Sequence, residues 1–230
     1  MTYITSDHHG YPLDAFLRLL EKAGFSDGDT LHVLGDVIDR NGDGGIATLR
    51  WIMNNPGVRF IAGNHECMML DCEFMFLSDA PGMDRMTSEE LNHVLLWYQN
   101  GASPTLDSLK DLEREELASL FAFLKAAPLY RTVSACGREF VLVHSGLEHF
   151  SPDRPLDAYS RDELIWYRPL AGERFYPDKT VILGHTPTRM YGVRGRMYQT
   201  DTWIDIDTGA AGGGSPMILR LDDLAAFYAD

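Results

Sequence analysis

Leu31-His32-Val33-Leu34-Gly35-Asp36-Val37-Ile38-Asp39-Arg40 passes from a short apolar run into a turn that carries carboxylates, and this unit decides the fold. It recurs along the chain. Tyr3-Ile4-Thr5 leads into Ser6-Asp7-His8-His9-Gly10, and Val58 to Ala62 leads into Gly63-Asn64-His65-Glu66. Phe140 to Val143 leads into His144-Ser145-Gly146, and Val181-Ile182-Leu183 into Gly184-His185. Short runs rich in β-branched and aromatic residues and closed by glycine have the pattern of buried strands.

Helical patterns lie between these units. Leu13, Phe16, Leu17, Leu20 and Ala23 share one face, with Pro12 before them and Gly24 after. Thr87 and Glu90 have the spacing of a capping box that opens a helix through Leu91, Val94, Leu95 and Tyr98. Leu117 to Ala126 forms a third, ended by Pro128. Strands that alternate with helices predict an α/β fold with a partly parallel sheet covered on both faces. Residues 67–130 lack the strand-turn-histidine unit and read as a mostly helical excursion carrying Met68, Met69, Met75, Met83 and Met86. The tail predicts two more strands, Trp203 to Asp207 and Met217 to Leu221, joined by a flexible turn at Gly209 to Gly214. One domain over residues 1–230 is the expected organisation.

The composition narrows the function. With a formal charge of -14 the surface repels nucleic acid and anionic membranes on average, so neither is an expected partner. Some of that charge can be carboxylate that divalent cations neutralise. Cys67, Cys72 and Cys136 have no zinc-site spacing and read as reduced thiols. No basic start with an apolar stretch and no membrane-length apolar run occurs, and a soluble cytoplasmic protein is expected.

In open α/β sheets, ligands bind beyond the carboxyl ends of the strands, which is where all five units put their polar residues. Each residue alone has an ordinary explanation as a turn, a cap or a core histidine. Together the turns offer two Asp, one Asn and three His as ligands. That mixture suits Mn, Fe or Zn better than Ca. It is too many for one open catalytic ion and about right for two ions that share a carboxylate ~3.5–4 Å apart.

The strings SDHHG, GDVIDR, GNHE, LVHSG and ILGHTPT, in this order, resemble the motif set of the phosphoprotein phosphatase branch of the metallophosphoesterases, as found in bacterial and phage serine/threonine phosphatases. They span most of the chain. The resemblance implies a calcineurin-like β-sandwich of mixed sheets flanked by helices, with a dinuclear metal site at the strand ends. It makes Asp7 and His9 ligands of one metal, Asp36 the bridge, and Asn64, His144 and His185 ligands of the other, with Mn the expected metal. It makes His65 the acid that protonates the leaving oxygen and Asp39 the residue that orients it. Arg40, Arg168 and Asn64 would bind the substrate phosphoryl group.

The chemistry is consistent with this assignment. Two cations lower the pKa of a shared water enough for it to attack phosphorus in line. Guanidinium forks match phosphoryl oxygens, and a histidine acid contributes roughly 10²–10⁴-fold. Glu66 is expected to start the helix after GNHE. His8, His32, His93 and His149 are expected to be structural or solvent-facing. Ser6 and Asn41 stand where the family commonly has glycine, and Asn41 is expected to enter the left-handed region with Gly42 preserving the turn.

The resemblance implies a phosphatase for phosphoserine or phosphothreonine, with dual specificity open. Asp39 and GNHE favour that branch over the symmetrical dinucleoside-tetraphosphate hydrolases, which often lack the Asp and carry GNHD. The motifs also leave open a small-molecule phosphatase and a binding scaffold without catalysis. Substrate identity and oligomeric state are not legible in the sequence.

Overall fold

The computed structural model describes residues 1–77 and 86–229, so Met83 lies outside the described residues. Strands β1 (Thr2–Thr5), β2 (Thr30–Val33) and β3 (Val58–Phe60) run parallel in one sheet. A second sheet contains β4 (Tyr130–Ala135), β5 (Arg138–Val143), β6 (Lys179–Leu183), β7 (Tyr198–Gln199) and β8 (Trp203–Asp205). There β5, β6 and β8 are parallel, while β4 and β7 are antiparallel edges. The final strands, β9 (Met217–Arg220) and β10 (Ala225–Tyr228), return to the first sheet, β9 antiparallel to β1.

The two sheets face each other. Ile4 and Leu219 from the first pack with Phe140, Leu142, Ile182 and Ile204 from the second in one buried cluster. Fully burying each such side chain contributes about 1.5–3 kcal/mol. Alternation along the strands sends Tyr3, Leu31 and Val33, or Val141, Val143 and Val181, into a second cluster shared with the helices. Thus the single sheet suggested by the strand-helix alternation is two sheets, as the resemblance implied.

The predicted helices are present with shifts. Helix α1 (Leu13–Ala23) ends where Gly24 takes φ 79° and donates to the Glu21 and Leu20 carbonyls. Its buried face is Phe16, Leu19, Leu20 and Ala23, so Leu19 replaces the expected Leu17, which is 37% exposed. After α2 (Ile46–Met53), the segment between β3 and β4 carries α3 (Asn64–Asp71), α4 (Phe74–Leu77), α5 (Ser88–Gln99), α6 (Ser103–Leu109) and α7 (Arg114–Ala126). Thr87 caps α5 by accepting from Glu90 N at 3.1 Å. Tyr130, the last residue of the expected helical excursion, opens β4 instead.

The glycine-rich stretch does not link neighbouring strands. It holds a 3-10 turn, Ala210–Gly212, and carries the chain from β8 in one sheet to β9 in the other. A short helix α8 (Arg161–Ile165) lies between β5 and β6. Cys67 and Cys72 are buried and unpaired, and Cys136 is exposed and unpaired. Among the described residues no helix is long and apolar enough to cross a membrane.

Candidate metal centre and active site

The carboxyl ends of β1, β2 and β3 meet those of β5, β6 and β8 across the sandwich. Asp7, Asp36, Asn64, His144 and His185 follow β1, β2, β3, β5 and β6, and all are buried. The loops interlock: His144 Nδ1 lies 2.7 Å from the Leu34 carbonyl, and His185 N donates to Asp7 Oδ2 at 3.0 Å. Six residues of the expected site, Asp7, His9, Asp36, Asp39, Arg40 and His185, hold positive φ. Such strain persists only where the surroundings over-determine it, and it clusters at functional sites.

Asp36 is the centre of the group. Its Oδ2 lies 3.5 Å from His9 Nε2 and 3.8 Å from His65 Nε2, and its Oδ1 lies 3.3 Å from His144 Nε2. Two sets of ligand atoms are mutually close enough for one ion each, namely His9, Asp36 and His65, and Asp36, His144 and His185. Asp36 belongs to both. Asp7 joins the first side with Oδ1 3.9 Å from His9 Nε2, and Asn64 joins the second with Oδ1 2.9 Å from His144 Nε2.

Cations fit these residues. Buried His185 Nε2 has no hydrogen-bond partner, and it would be an expensive orphan without an ion to take its lone pair. Burial drives the imidazoles of His185 and His9 down to about 2 and about 3, leaving them neutral as metal ligation needs. Burial, then Asp207, lifts the Asp7 carboxyl well above its ordinary range. Asp205 is raised too, by burial and then by Asp207. Burial also opposes charge on Asp36, but His144, His65 and His9 around it outweigh that and hold it well below the usual range. Among the described residues no Lys or Arg forms an ion pair with Asp7, Asp36, Asp205 or Asp207, so divalent cations are the natural compensation.

His65 and Asp39 form a buried pair, Nδ1 to Oδ2 at 2.6 Å. Two residues without a motif complete the Asp39 shell: Trp97 Nε1 donates to Oδ2 at 2.9 Å and Thr105 Oγ1 donates to Oδ1 at 2.6 Å. Both come from the helical excursion, and nothing local in the sequence marks them. Replacing Trp97 with Phe keeps the bulk and removes one hydrogen bond to the carboxylate. A drop in kcat of up to about tenfold is expected, since such bonds contribute ~1.5–3 kcal/mol and only part reaches His65. KM and metal content should hold, and loss of metal in that variant would assign Trp97 to packing instead.

Glu66 does cap α3 through Gly63 N at 2.9 Å, and it also accepts from Asp36 N at 2.9 Å and Val37 N at 2.8 Å. One carboxylate therefore ties the GNHE turn to the bridging turn, a role beyond that of a helix start. Asp207 is a further unpredicted wall residue of the site. Asn41 is not left-handed; Asp39 and Arg40 take φ 74° and 73° instead. The Asn41 amide is used as a clamp, donating to the His9 carbonyl at 3.0 Å and the Ala210 carbonyl at 3.3 Å. Ser6 Oγ donates to Asp7 Oδ2 at 2.5 Å, so the departure from glycine adds a bond to an expected ligand. His8 is buried against Phe16 with 4.3 Å between ring centroids, whereas His149 is exposed beside Glu163.

Gly184 is required by close approach. A Cβ there would meet Asp7 Oδ2 at 2.1 Å and Ser6 Oγ at 2.4 Å. Gly184→Ala should therefore push Asp7 aside and weaken metal binding at least about tenfold, the scale of lost support to a ligand. Titration of the protein with Mn, read by isothermal calorimetry, measures it, and wild-type affinity would show that Asp7 holds no ion.

A cavity of about 270 Å³ opens over the centre, lined by His9, Asp36, Asn64, His185, Trp166 and Asp207, with Arg40, Arg168 and Arg189 at its walls. Arg40 Nη2 is 3.1 Å from His65 Nε2, and Arg168 Nη1 donates to the His185 carbonyl at 3.0 Å. Fold and site together define a two-sheet α/β protein whose strand ends carry a shared-carboxylate, imidazole-rich candidate metal centre under a cavity walled by arginines.

The chain belongs to the calcineurin-like phosphoesterase family, which it matches over residues 2–204, and is thus of the phosphoesterase hydrolase class. It is 30% identical over 174 residues to serine/threonine-protein phosphatase 2 of Salmonella typhimurium, covering 72% of this chain and 67% of that one. It is 29% identical over 150 residues to a symmetrical bis(5'-nucleosyl)-tetraphosphatase of Escherichia coli, covering 63% of this chain and 51% of the relative. The chain thus spans about half the length of that second relative. Among solved structures, a candidate diadenosine tetraphosphatase has TM-score 0.67 at 18% identity, with 98% of this chain and 90% of that chain covered. A serine/threonine phosphatase of Saccharomyces cerevisiae has TM-score 0.56 at 15% identity, covering 100% and 80%. These two likenesses establish the fold.

Proposed function

We propose that this chain is a metal-dependent phosphomonoester hydrolase acting on phosphoserine and phosphothreonine in proteins, with phosphotyrosine as a secondary substrate. The observation that carries this is the His65–Asp39 pair at 2.6 Å beside the doubly shared Asp36. Asp7, His9 and Asp36 would hold one cation and Asp36, Asn64, His144 and His185 the other. When bound, the ions supply Lewis-acid charge and an activated water for direct attack on phosphorus, so no phosphoenzyme is needed. The mixed oxygen and nitrogen donors favour Mn, with Fe or Zn as substitutes.

Arg40 and Arg168 grip the phosphoryl oxygens from the cavity walls, and Asn64 orients them from the floor. A phosphoryl group on the Arg40 fork takes that guanidinium away from His65 Nε2, freeing the nitrogen to carry a proton. Asp39 at Nδ1 fixes the tautomer and stabilises the imidazolium, which then protonates the departing serine oxygen. The free, buried thiols agree with a reducing cytoplasm. Residues 1–230 act as one domain in this reading.

A second reading, hydrolysis of symmetrical dinucleoside tetraphosphates, draws on the Escherichia coli relative. Phosphopeptides, p-nitrophenyl phosphate and diadenosine tetraphosphate, offered to Mn-loaded protein, separate the two. Turnover of phosphopeptides is expected, and cleavage of diadenosine tetraphosphate alone would defeat the protein-phosphatase reading. Metal-loaded protein inert to all three would make it a binding scaffold.

A further inference from the structure

A second cavity of about 210 Å³ adjoins the first, and the two share Pro187 and Arg189 as wall residues. Arg194, Gly195, Thr208 and Gly209 complete it. Arg189 and Arg194 are both exposed and, among the described residues, neither forms an ion pair with a carboxylate. Their donors are thus not taken up by acidic side chains, whereas Arg154, Arg161 and Arg220 each lie on one, at 2.8, 2.8 and 2.6 Å.

Arg189 leaves the 3-10 turn Thr188–Tyr191 directly after β6, and its guanidinium lies over the glycine-rich loop. A Cβ on Gly209 or Gly212 would stand 3.6 or 3.8 Å from its Nη1. The loop thus gives the side chain a floor without a hydrogen bond that would use up its donors. Arg40 and Arg168 already serve the scissile phosphoryl group in the proposed phosphatase mechanism. Two further guanidinium groups around the adjoining cavity repel one another, a repulsion that a bound anion relieves.

We propose that Arg189 and Arg194 form a second anion subsite, which binds a carboxylate or phosphate elsewhere on the substrate whose phosphoryl group occupies the metal cavity. The inference rests on the phosphatase reading and gives it a substrate class, phosphopeptides with acidic residues close to the phosphoserine. Each guanidinium fork offers paired donors to such a group. The shared wall at Arg189 lets one extended molecule occupy both cavities.

The test uses Mn-loaded protein and two phosphoserine peptides that differ only in flanking Glu or Gln. Wild type should favour the Glu peptide in kcat/KM by at least about tenfold, the scale of one charge-assisted pair. In Arg189→Gln/Arg194→Gln that ratio should fall to below about threefold, and Arg189→Lys/Arg194→Lys, which keeps the charge, should recover part of it. Inhibition of p-nitrophenyl phosphate turnover by the same peptides reports binding without their cleavage. Stronger inhibition by the uncleaved Glu peptide, lost in the double Gln variant, would uphold the subsite while the protein-phosphatase reading fell. Equal kcat/KM and equal inhibition constants for the two wild-type peptides, or a preference that survives in the Gln variant, overturns the subsite.

Discussion

Asp36→Ala should bring the bound metal from two equivalents to fewer than one and lower turnover by about 10³-fold or more. Asp36 is the one carboxylate common to both candidate ligand sets, with its two oxygens directed to opposite sides, toward His9 at 3.5 Å and His144 at 3.3 Å. Removing it leaves each ion without an anionic ligand from the bridge and leaves buried imidazoles facing one another. A metal centre contributes several kcal/mol to charge stabilisation in the transition state, and each 1.36 kcal/mol is tenfold in rate. Asp36→Asn tests the same point with less risk to the fold, since its amide oxygen can still accept from His65 N, as Oδ1 does at 3.1 Å. Metal analysis with single-turnover kinetics measures both quantities. Two equivalents of metal in the Asn variant would mean that Asp36 is no bridge.

His65→Ala separates acid catalysis from ligation. His65 is close enough to His9 and Asp36 to be a ligand on distance alone, and its Nε2 could serve either purpose. With its Nδ1 committed to Asp39, the proposed role is proton donation. The variant should keep both ions and lose roughly 10²–10⁴-fold on phosphoserine peptides. The loss on p-nitrophenyl phosphate should be much smaller, because nitrophenolate departs without a proton. Fold is expected to survive, for Asp39 still accepts from Trp97 and Thr105. Equal losses on both substrates accompanied by loss of metal would make His65 a ligand and remove it from proton transfer.

Much of the fold was legible because burial leaves a local mark. The apolar runs at Tyr3, Leu31, Val58, Phe140 and Val181 became β1, β2, β3, β5 and β6, each followed by its polar turn. The capping box at Thr87 and the glycine after Ala23 placed two helix ends for the same local reason. Sheet membership left no such mark. A strand buried on both faces has the same composition in one broad sheet or in two stacked ones, and β1 finds its antiparallel neighbour more than two hundred residues away, with Tyr3 opposite Arg220. Strand β4 was hidden for a related reason: as an edge strand it alternates half-buried and exposed residues from Arg131 to Ser134 and offers no continuous apolar run.

The candidate site divides in the same way. The residues that carry lone pairs or charge to the strand ends were readable, because glycine-flanked Asp, Asn and His after a strand can be recognised one turn at a time. The residues that make those groups work were not. Trp97 and Thr105 around Asp39, Glu66 beneath the Asp36 turn, Asp207 in the wall and Arg189 beside Arg194 are ordinary in their local sequence.

By itself the sequence determined the strand-turn units, the types of ligand atom available and the family to which they point. The tertiary structure alone decided that Trp97 and Thr105 reach Asp39 from the helical segment, that Glu66 ties the Asp36 turn to the GNHE turn, and that Arg194 lines a cavity beside the one walled by Arg40, Arg168 and Arg189. The physical reason is range. Backbone conformation and burial pattern follow from neighbours along the chain, whereas metal geometry and charge compensation depend on atoms a few ångströms apart in space and far apart in sequence.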